Sequence, residues 1–545
     1  MTNSALNYLD YFALFGYFAL IAGIAWFALR KRNNTDENQA EGYFLGGRDL
    51  SWVVIGASLF ASNIGSEHLV GLAGAGAKGD FAAGQFEILA ALILILLGWV
   101  FVPFYLRSGV YTMPEFLERR YSSWARGYLS WLSIAAYVMT KISVTIAAGG
   151  IIFTSILNID FWTGAIITVV ATGLYTVLGG LRAVVYTDLM QMFILIAGAI
   201  AVTWIGMDHA GGWEQMVSYT TAEHLSLWRT MQDPDFPWTG IILGAPILGV
   251  WYWCTDQFIV QRVLAAKNLD HARYGTIFGG FLKLLPLFIF VLPGVVAFSL
   301  YQQAPELIPF PVDENGAVVY DAALPTLITY VMPNGIKGLV IAGLLAALMS
   351  SLSSVFNSCS TLFTYDIYLK HYPESSPKRQ VYVGQVATAV LVVLGLAWIP
   401  LLQVIEGGLF QKLQSIQAYI SPPIAVVFLF GLMDKRLNAT GAKAALLAGA
   451  VVGSLRLYME IQKPNLDGIL YAFADFNFLH FAFLLFVFCA IVFYVVSYLT
   501  EAPSDVQLEG LTLQTRESRQ PLNSAQKVLT LLLIVLIALL WYTFS

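Results

Sequence analysis

Charge is what this sequence lacks most. Lys, Arg, Asp and Glu together make up 12% of its 545 residues, roughly half the share in an average soluble domain. Hydrophobic residues account for 58%, with a mean hydropathy of +0.70, and apolar runs of about 20 residues, enough to cross a bilayer, recur throughout. This excludes a soluble body and indicates an all-α polytopic membrane protein. Cysteine is nearly absent. Cys254, Cys359 and Cys489 all fall inside apolar runs, which gives neither a disulfide framework nor metal-ligand spacing. The six histidines are scattered, with no HxxxH-type pair. No glycine loop ending in Lys-Ser/Thr is present to cradle a nucleotide's phosphates, so any transport draws on an ion gradient or is passive. No basic cluster suggests nucleic acid, no nucleophile–base pair suggests an enzyme, and nothing calls for an obligate protein partner. The first apolar run, Tyr11 to Leu29, lacks a basic lead and a cleavage site and reads as a retained helix.

The apolar runs predict about fourteen spans: 8–29, 51–76, 81–106, 125–157, 160–178, 182–206, 238–262, 275–301, 334–369, 380–403, 409–433, 441–459, 478–500 and 525–544. Loop charge orients them. Arg30, Lys31, Arg32 and Arg48 follow the first span, and Arg107, Arg119, Arg120 and Arg126 the third. Then come Arg262, Lys267 and Arg273; Lys370, Lys378 and Arg379; Lys435, Arg436 and Lys443; and Arg516, Arg519 and Lys527. The opposite loops, 207–237 and 302–333, hold Asp233, Asp235, Asp313 and Glu314 and almost no Lys or Arg. With the basic loops cytoplasmic and an even span count, both termini are expected outside the cytoplasm, in a plasma (bacterial inner) membrane. The polar stretch 501–526 is expected to be a cytoplasmic connector.

The stretch GASLFASNIGSEHLVGLAGAG, Gly56 to Gly76, begins and ends like one spanning helix. Its middle, Ala61-Ser62-Asn63-Ile64-Gly65-Ser66, weakens the helical ladder at mid-depth, and Glu67 and His68 follow inside what should be hydrocarbon. Unwound backbone at that depth is tolerated only inside protein or along a wet cavity, and freed carbonyls there can hold a cation. Ionisable residues within spans are costly and usually functional: His68, Glu87, Lys141, Asp188, Asp256 and Lys283. Glu87 and Lys283 form either a structural ion pair or part of a ring around a polyol, whose hydroxyls both donate and accept. Tyr252-Trp253 offers an aromatic plate or ordinary packing, and Gln414 precedes a Pro-Pro pair that would disturb a helix. Ser350, Ser351, Ser353 and Ser354, in the run Ala347-Leu-Met-Ser-Ser-Leu-Ser-Ser, turn hydroxyls toward one neighbour. They either pack closely or offer oxygens to a hard cation such as Na⁺.

Eight blocks, YFLGGRDLSW, SNIGSEHLVGLAGAG, GVYTMPEFLERRY, TVLGGLRAVVYTDLMQ, WYWCTDQFIVQRVLAAKN, KLLPLFIFVLPG, MSSLSSVFNS and QSIQAYISPPI, resemble in order and spacing those of the sodium:solute symporter family, sodium/glucose cotransporter branch, over residues 43 to 455. The resemblance implies a LeuT-type fold of two five-helix repeats of opposite topology, 51–206 and 238–433. An extra helix and loop (1–50) would precede them, an extracytoplasmic loop (207–237) would join them, and extra helices (434–545) would follow. It implies sugar contacts at Asn63, His68, Glu87, Tyr252, Trp253, Lys283 and Gln414. Tyr252 would be an inner gate and Leu72, Phe86 and Phe410 an outer one. It places Na⁺ on the carbonyls of Ala61, Ile64 and Ala347 with the hydroxyls of Ser350 and Ser351, and a second Na⁺ at Asp188, Ser353 and Ser354, unless Asp188 pairs with Arg182. Gly249 and Ala90 depart from the pattern, each removing a polar contact. The expected function is Na⁺-driven uptake of a monosaccharide, glucose or galactose, by alternating access. Myo-inositol, a sialic acid or an amino acid is the alternative solute.

Overall fold

A computed structural model describes residues 6–30, 39–306, 308–313, 316–402, 409–513 and 521–545. Lys31, Arg32, Glu314, Arg516 and Arg519, used above for orientation, lie outside the described residues, as does the side chain of Glu67. Among the described residues the secondary structure is helical, with isolated bridges at Leu50–Ala266, Arg229–Pro237 and Val312–Val318. Among the described residues eleven helices are long and apolar enough to cross a membrane, or twelve when one bent pair counts as a span. Two predicted spans, 160–178 and 182–206, lie within one continuous element, Phe161–His209. At 49 residues it would run about 74 Å if straight, more than twice a hydrocarbon core of roughly 30 Å. It is not straight: Gly180 sits at φ 59° and ψ −157°, a conformation open essentially to glycine alone, and a Cβ there would meet the Tyr43 carbonyl at 2.4 Å. The predicted span 238–262 is a chain of short pieces: Trp238–Leu243, Ala245–Gly249, a wide-turn segment Val250–Thr255 and Gln257–Leu264. Asp256 is extended between the last two.

Seven helices form the centre. They are α1 (Trp52–Asn63), α2 (Ser66–Lys78), α3 (Gln85–Leu96), α4 (Phe161–His209), α5 (Gln257–Leu264), α6 (Leu269–Leu282) and α7 (Ile336–Leu362). An eighth, α8 (Leu409–Met433), closes one wall. Burial separates the centre from the lipid face: the span holding α7 is 94% buried in protein, the Ser524–Thr543 helix 22%. The first helix, Tyr8–Arg30, lies outside this group with Phe12 and Phe15 exposed, where lipid rather than protein covers apolar side chains. Pro422 and Pro423 do not break α8, which runs through both. Gly449 and Gly453 of the next helix let it pass close, since a Cβ at Gly449 would meet Pro423 and one at Gly453 the Tyr419 carbonyl at 2.2 Å.

The motif GVYTMPEFLERRY builds a clamp at one end of the bundle. Thr112 caps the Met113–Arg120 helix by accepting from the Glu115 amide. It also donates to Asp366 at 2.8 Å, which Arg126 reaches at 2.7 Å. Arg120, fully buried, donates to the carbonyls of Gly431 and Asp434. The connector packs on the same end, with Gln507 donating to Tyr121 O and the Leu513 amide to Leu432 O.

Candidate functional site

The interruption between α1 and α2 decides the site. The two helices meet at 62°. In an unbroken helix the Gly65 amide would bond the Ala61 carbonyl, and the His68 amide that of Ile64. Here they donate instead to Asn63 O and Gly65 O, each at 3.1 Å. Ile64 and Gly65 are both extended, so the carbonyls of Ala61 and Ile64 are released from those amides in the middle of the protein. Across from the gap, Ser351 donates to the Ser62 carbonyl at 3.1 Å, joining α7 to the end of α1. Ser350, placed by the sequence in the same cation cradle, points elsewhere: it donates to Asp188 at 2.6 Å.

A polar chain crosses the centre next to this gap. Glu87 lies in the first turn of α3, where a carboxylate is favoured by the helix dipole. One of its oxygens accepts from Lys283, and the other lies 3.7 Å from His68 Nε2. Lys283 caps the C-terminus of α6, donates also to the Asn63 carbonyl oxygen of the side-chain amide, and stands 5.3 Å from the Trp253 ring centroid. The Asn63 amide nitrogen donates to the Tyr252 hydroxyl at 3.0 Å. Five residues from five elements are thereby linked, and the Glu87–Lys283 ion pair is one step of that chain. Asn63, His68, Glu87, Tyr252, Trp253 and Gln414 line one cavity. Lys283 is not part of this lining and reaches Glu87 and Asn63 from the end of α6.

The residues expected to form the outer gate divide. Phe86 lines the cavity and packs edge-on against Phe410 at 5.8 Å and Phe236 at 6.0 Å. Phe410 also meets the His68 ring. Leu72 is fully buried and is not part of the cavity wall. Beyond these rings Asp235 accepts from Lys78 at 2.8 Å and Gln411 at 2.7 Å.

Sequence reasoning left Lys141 without a role and missed Thr145, Phe258 and Gln417, which also line the cavity. Lys141 donates to Asp256 at 2.7 Å and lies over the rings of Tyr252 and Phe258. Gln417 follows Gln414 by three residues and Thr145 follows Lys141 by four, spacings that share a helix face, so a signal existed for both. Gly249, read as a missing hydroxyl, is also a packing site: a Cβ there would stand 3.0 Å from Ile93 Cγ1. Ala90 lines the cavity without a polar group.

Asp188 corrects one expectation. It does not pair with Arg182. Its carboxylate accepts from Ser58 at 2.5 Å, Ser62 at 3.0 Å and Ser350 at 2.6 Å, and Arg262 lies 3.8 Å away. Ser353 is turned to the Ser350 carbonyl at 3.0 Å, whereas Ser354 donates to Ser62 Oγ at 3.0 Å. Sequence distance favoured Arg182, six residues away. The fold instead aims Arg262 at Asp188 from a different helix.

Residues 43–449 match the sodium:solute symporter family. The chain is 38% identical over 542 residues to the sodium/myo-inositol cotransporter of Canis lupus familiaris, covering 92% of this chain and 75% of that one. It is 39% identical to sodium/glucose cotransporter 4 of Mus musculus, over 92% and 76% of the two chains. It is 38% identical to sodium/glucose cotransporter 1 of Ovis aries, over 92% and 80%. A Na⁺-coupled sialic acid symporter, solved in a substrate-bound outward-open state, has a TM-score of 0.77 and 23% identity to it. That match spans 91% of this chain and 99% of the other, and it shows a shared fold.

Proposed function

Because the chain belongs to the sodium:solute symporter family, we propose that it carries a monosaccharide, glucose or galactose first, with Na⁺ by alternating access. It is a transporter and not an enzyme, and sodium is the coupling ion of its family. The observation that carries the substrate reading is the linked set His68–Glu87–Lys283–Asn63–Tyr252 beside a cavity faced also by Trp253 and Gln414. Such a set accepts and donates at close intervals, as a ring of hydroxyls requires. Both lysines at the cavity are already held by carboxylates, Lys283 by Glu87 and Lys141 by Asp256. A substrate carboxylate would therefore find each cation engaged, which argues against sialic acid and amino acids. Myo-inositol stays as a second reading, since it is equally neutral and hydroxyl-ringed and relatives at 38% identity bear its name.

In this reading the chain has fourteen spans in a LeuT-type arrangement. Phe161–His209 contributes two, on either side of Gly180, and the pieces from Trp238 to Leu264 contribute one. The repeats are 51–206 and 238–433, with both termini extracytoplasmic. Sodium would use the carbonyls of Ala61, Ile64 and Ala347 with Ser351. Binding there holds α7 to the broken helix and pre-forms the polar chain, so coupling is the higher sugar affinity of the sodium-bound state. A second sodium would use Asp188. The test is uptake into proteoliposomes with an inward sodium gradient and unlabelled competitors. The expected result is sodium-dependent glucose or galactose uptake, blocked by hexose and unaffected by amino acids or sialic acid. Blocking by myo-inositol alone selects the second reading, and uptake equal in sodium and choline contradicts both.

A further inference from the structure

Arg262 is a buried charge that the sugar site does not use. Its side chain comes from α5 and reaches three other helices. Nε donates to Ser58 Oγ of α1 at 2.8 Å, one terminal nitrogen donates to Ser354 Oγ of α7, and the other to the Phe258 carbonyl of its own helix. Asp188 of α4 is 3.8 Å from the guanidinium.

The hydroxyl protons here can be followed one by one. Ser58, Ser62 and Ser350 each donate theirs to the Asp188 carboxylate, and Ser354 donates its own to Ser62. The protons are spent, so the hydroxyls face Arg262 with oxygen lone pairs. Those of Ser58 and Ser354 accept from it. A small hard cation drawn to Asp188 would need the same lone pairs and the same negative charge. Two unit positive charges about 4 Å apart in a buried site repel strongly, so guanidinium and metal ion exclude one another.

We propose that Arg262 is a tethered cation that neutralises Asp188 when no sodium is there, and that a sodium ion arriving at Asp188 displaces it. This goes beyond the sugar reading and rests on the second sodium proposed at Asp188. The displaced side chain would release Ser58 of α1 and Ser354 of α7 together. It would also free α5, whose N-cap Asp256 holds Lys141 and whose Phe258 ring forms part of the cavity floor under Tyr252. Occupation of Asp188 is thereby transmitted to the inner side of the sugar cavity by one side chain changing partners.

The test is thermal unfolding of the purified full chain without sugar, in sodium chloride titrated against choline chloride at constant ionic strength. Arg262→Gln should melt below the wild type in choline, because Asp188 is left uncompensated. It should recover in sodium, with the half-effective sodium concentration at least fivefold lower than in the wild type. Asp188→Asn/Arg262→Gln, which removes both charges, should lose that shift. Should Arg262→Gln yield no folded protein, Arg262→Lys carries the test: it keeps the charge but not the fork spanning Ser58 and Ser354, and should lower the half-effective concentration at least twofold. An unshifted concentration in the variant that folds, or a shift that survives in the double variant, overturns the proposal. A wild type that does not respond to sodium at all overturns the sodium reading instead.

Discussion

Glu87 is the residue on which the substrate reading leans hardest. Its two oxygens face two partners, Lys283 on one side and His68 Nε2 on the other, and its side chain is buried. Removing one partner from a buried pair leaves the other charge uncompensated, at a cost of about 3–5 kcal/mol. Hydrogen bonds to a charged group contribute about 1.5–3 kcal/mol, so one lost sugar contact of that kind weakens binding roughly tenfold to over a hundredfold. Glu87→Gln should accordingly weaken sugar binding by about that factor while changing the half-saturating sodium concentration less than threefold. Titration of labelled sugar against the purified variant, at fixed and at varied sodium, checks this. Equal loss of both affinities would mean that the variant is misfolded and that Glu87 is a structural ion-pair member.

Among the elements, Phe161–His209 depends on one residue. The helix is kinked at Gly180, where both the positive φ and the 2.4 Å approach to Tyr43 O exclude a Cβ. Strain of this kind is worth about 1–3 kcal/mol, before the steric clash. Gly180→Ala should lower the melting temperature and the amount of folded protein while leaving the sugar KM of the folded fraction within twofold of wild type. A changed KM with an unchanged melting temperature would contradict the assignment of Gly180 to folding. Other elements show what a sequence can reveal. The break at Ile64–Gly65 was legible because Ser, Asn and Gly interrupt an apolar run, and His68, Glu87 and Lys283 stood out because charge is rare in hydrocarbon. Arg262 facing Asp188 was not legible, nor was Lys141 facing Asp256. In a span apolar on every side the 3.6-residue stripe disappears, so nothing in α4 announces which face turns inward. The polar stripe of α5 (Gln257, Gln261 and Arg262) reads as an exposed face, although all three are buried. Phe258 and Leu413 were missed for the same reason: they are cavity wall only because of what lies opposite.

For the molecule as a whole, two sets of contacts hold the cavity at its ends. At the proposed outer end Lys78, Asp235 and Gln411 tie α2, the stretch before Trp238 and α8 together above Phe86 and Phe410. At the proposed inner end Tyr252 is tied to Asn63, and Lys141 to Asp256. The outer clasp is half-exposed, and such a pair contributes about 0–1 kcal/mol, so it biases a gate rather than locking it. Asp235→Asn should open the outer end up to about fivefold more often. The rate at which an external maleimide labels Leu413→Cys, a cavity position, reports this, and an unchanged rate would remove Asp235 from the gate. The central claim is that a polyol and a sodium ion stabilise one arrangement around the gap between Asn63 and Ser66. Binding free energies linked in this way are reciprocal. The most direct measurement is therefore the sugar dissociation constant with and without saturating sodium, set against the sodium half-saturation with and without sugar, in the wild type and in Ser351→Ala. The account predicts the same enhancement factor in both directions, at least tenfold in the wild type and lost in Ser351→Ala; a wild type in which each ligand binds equally well with and without the other would contradict it.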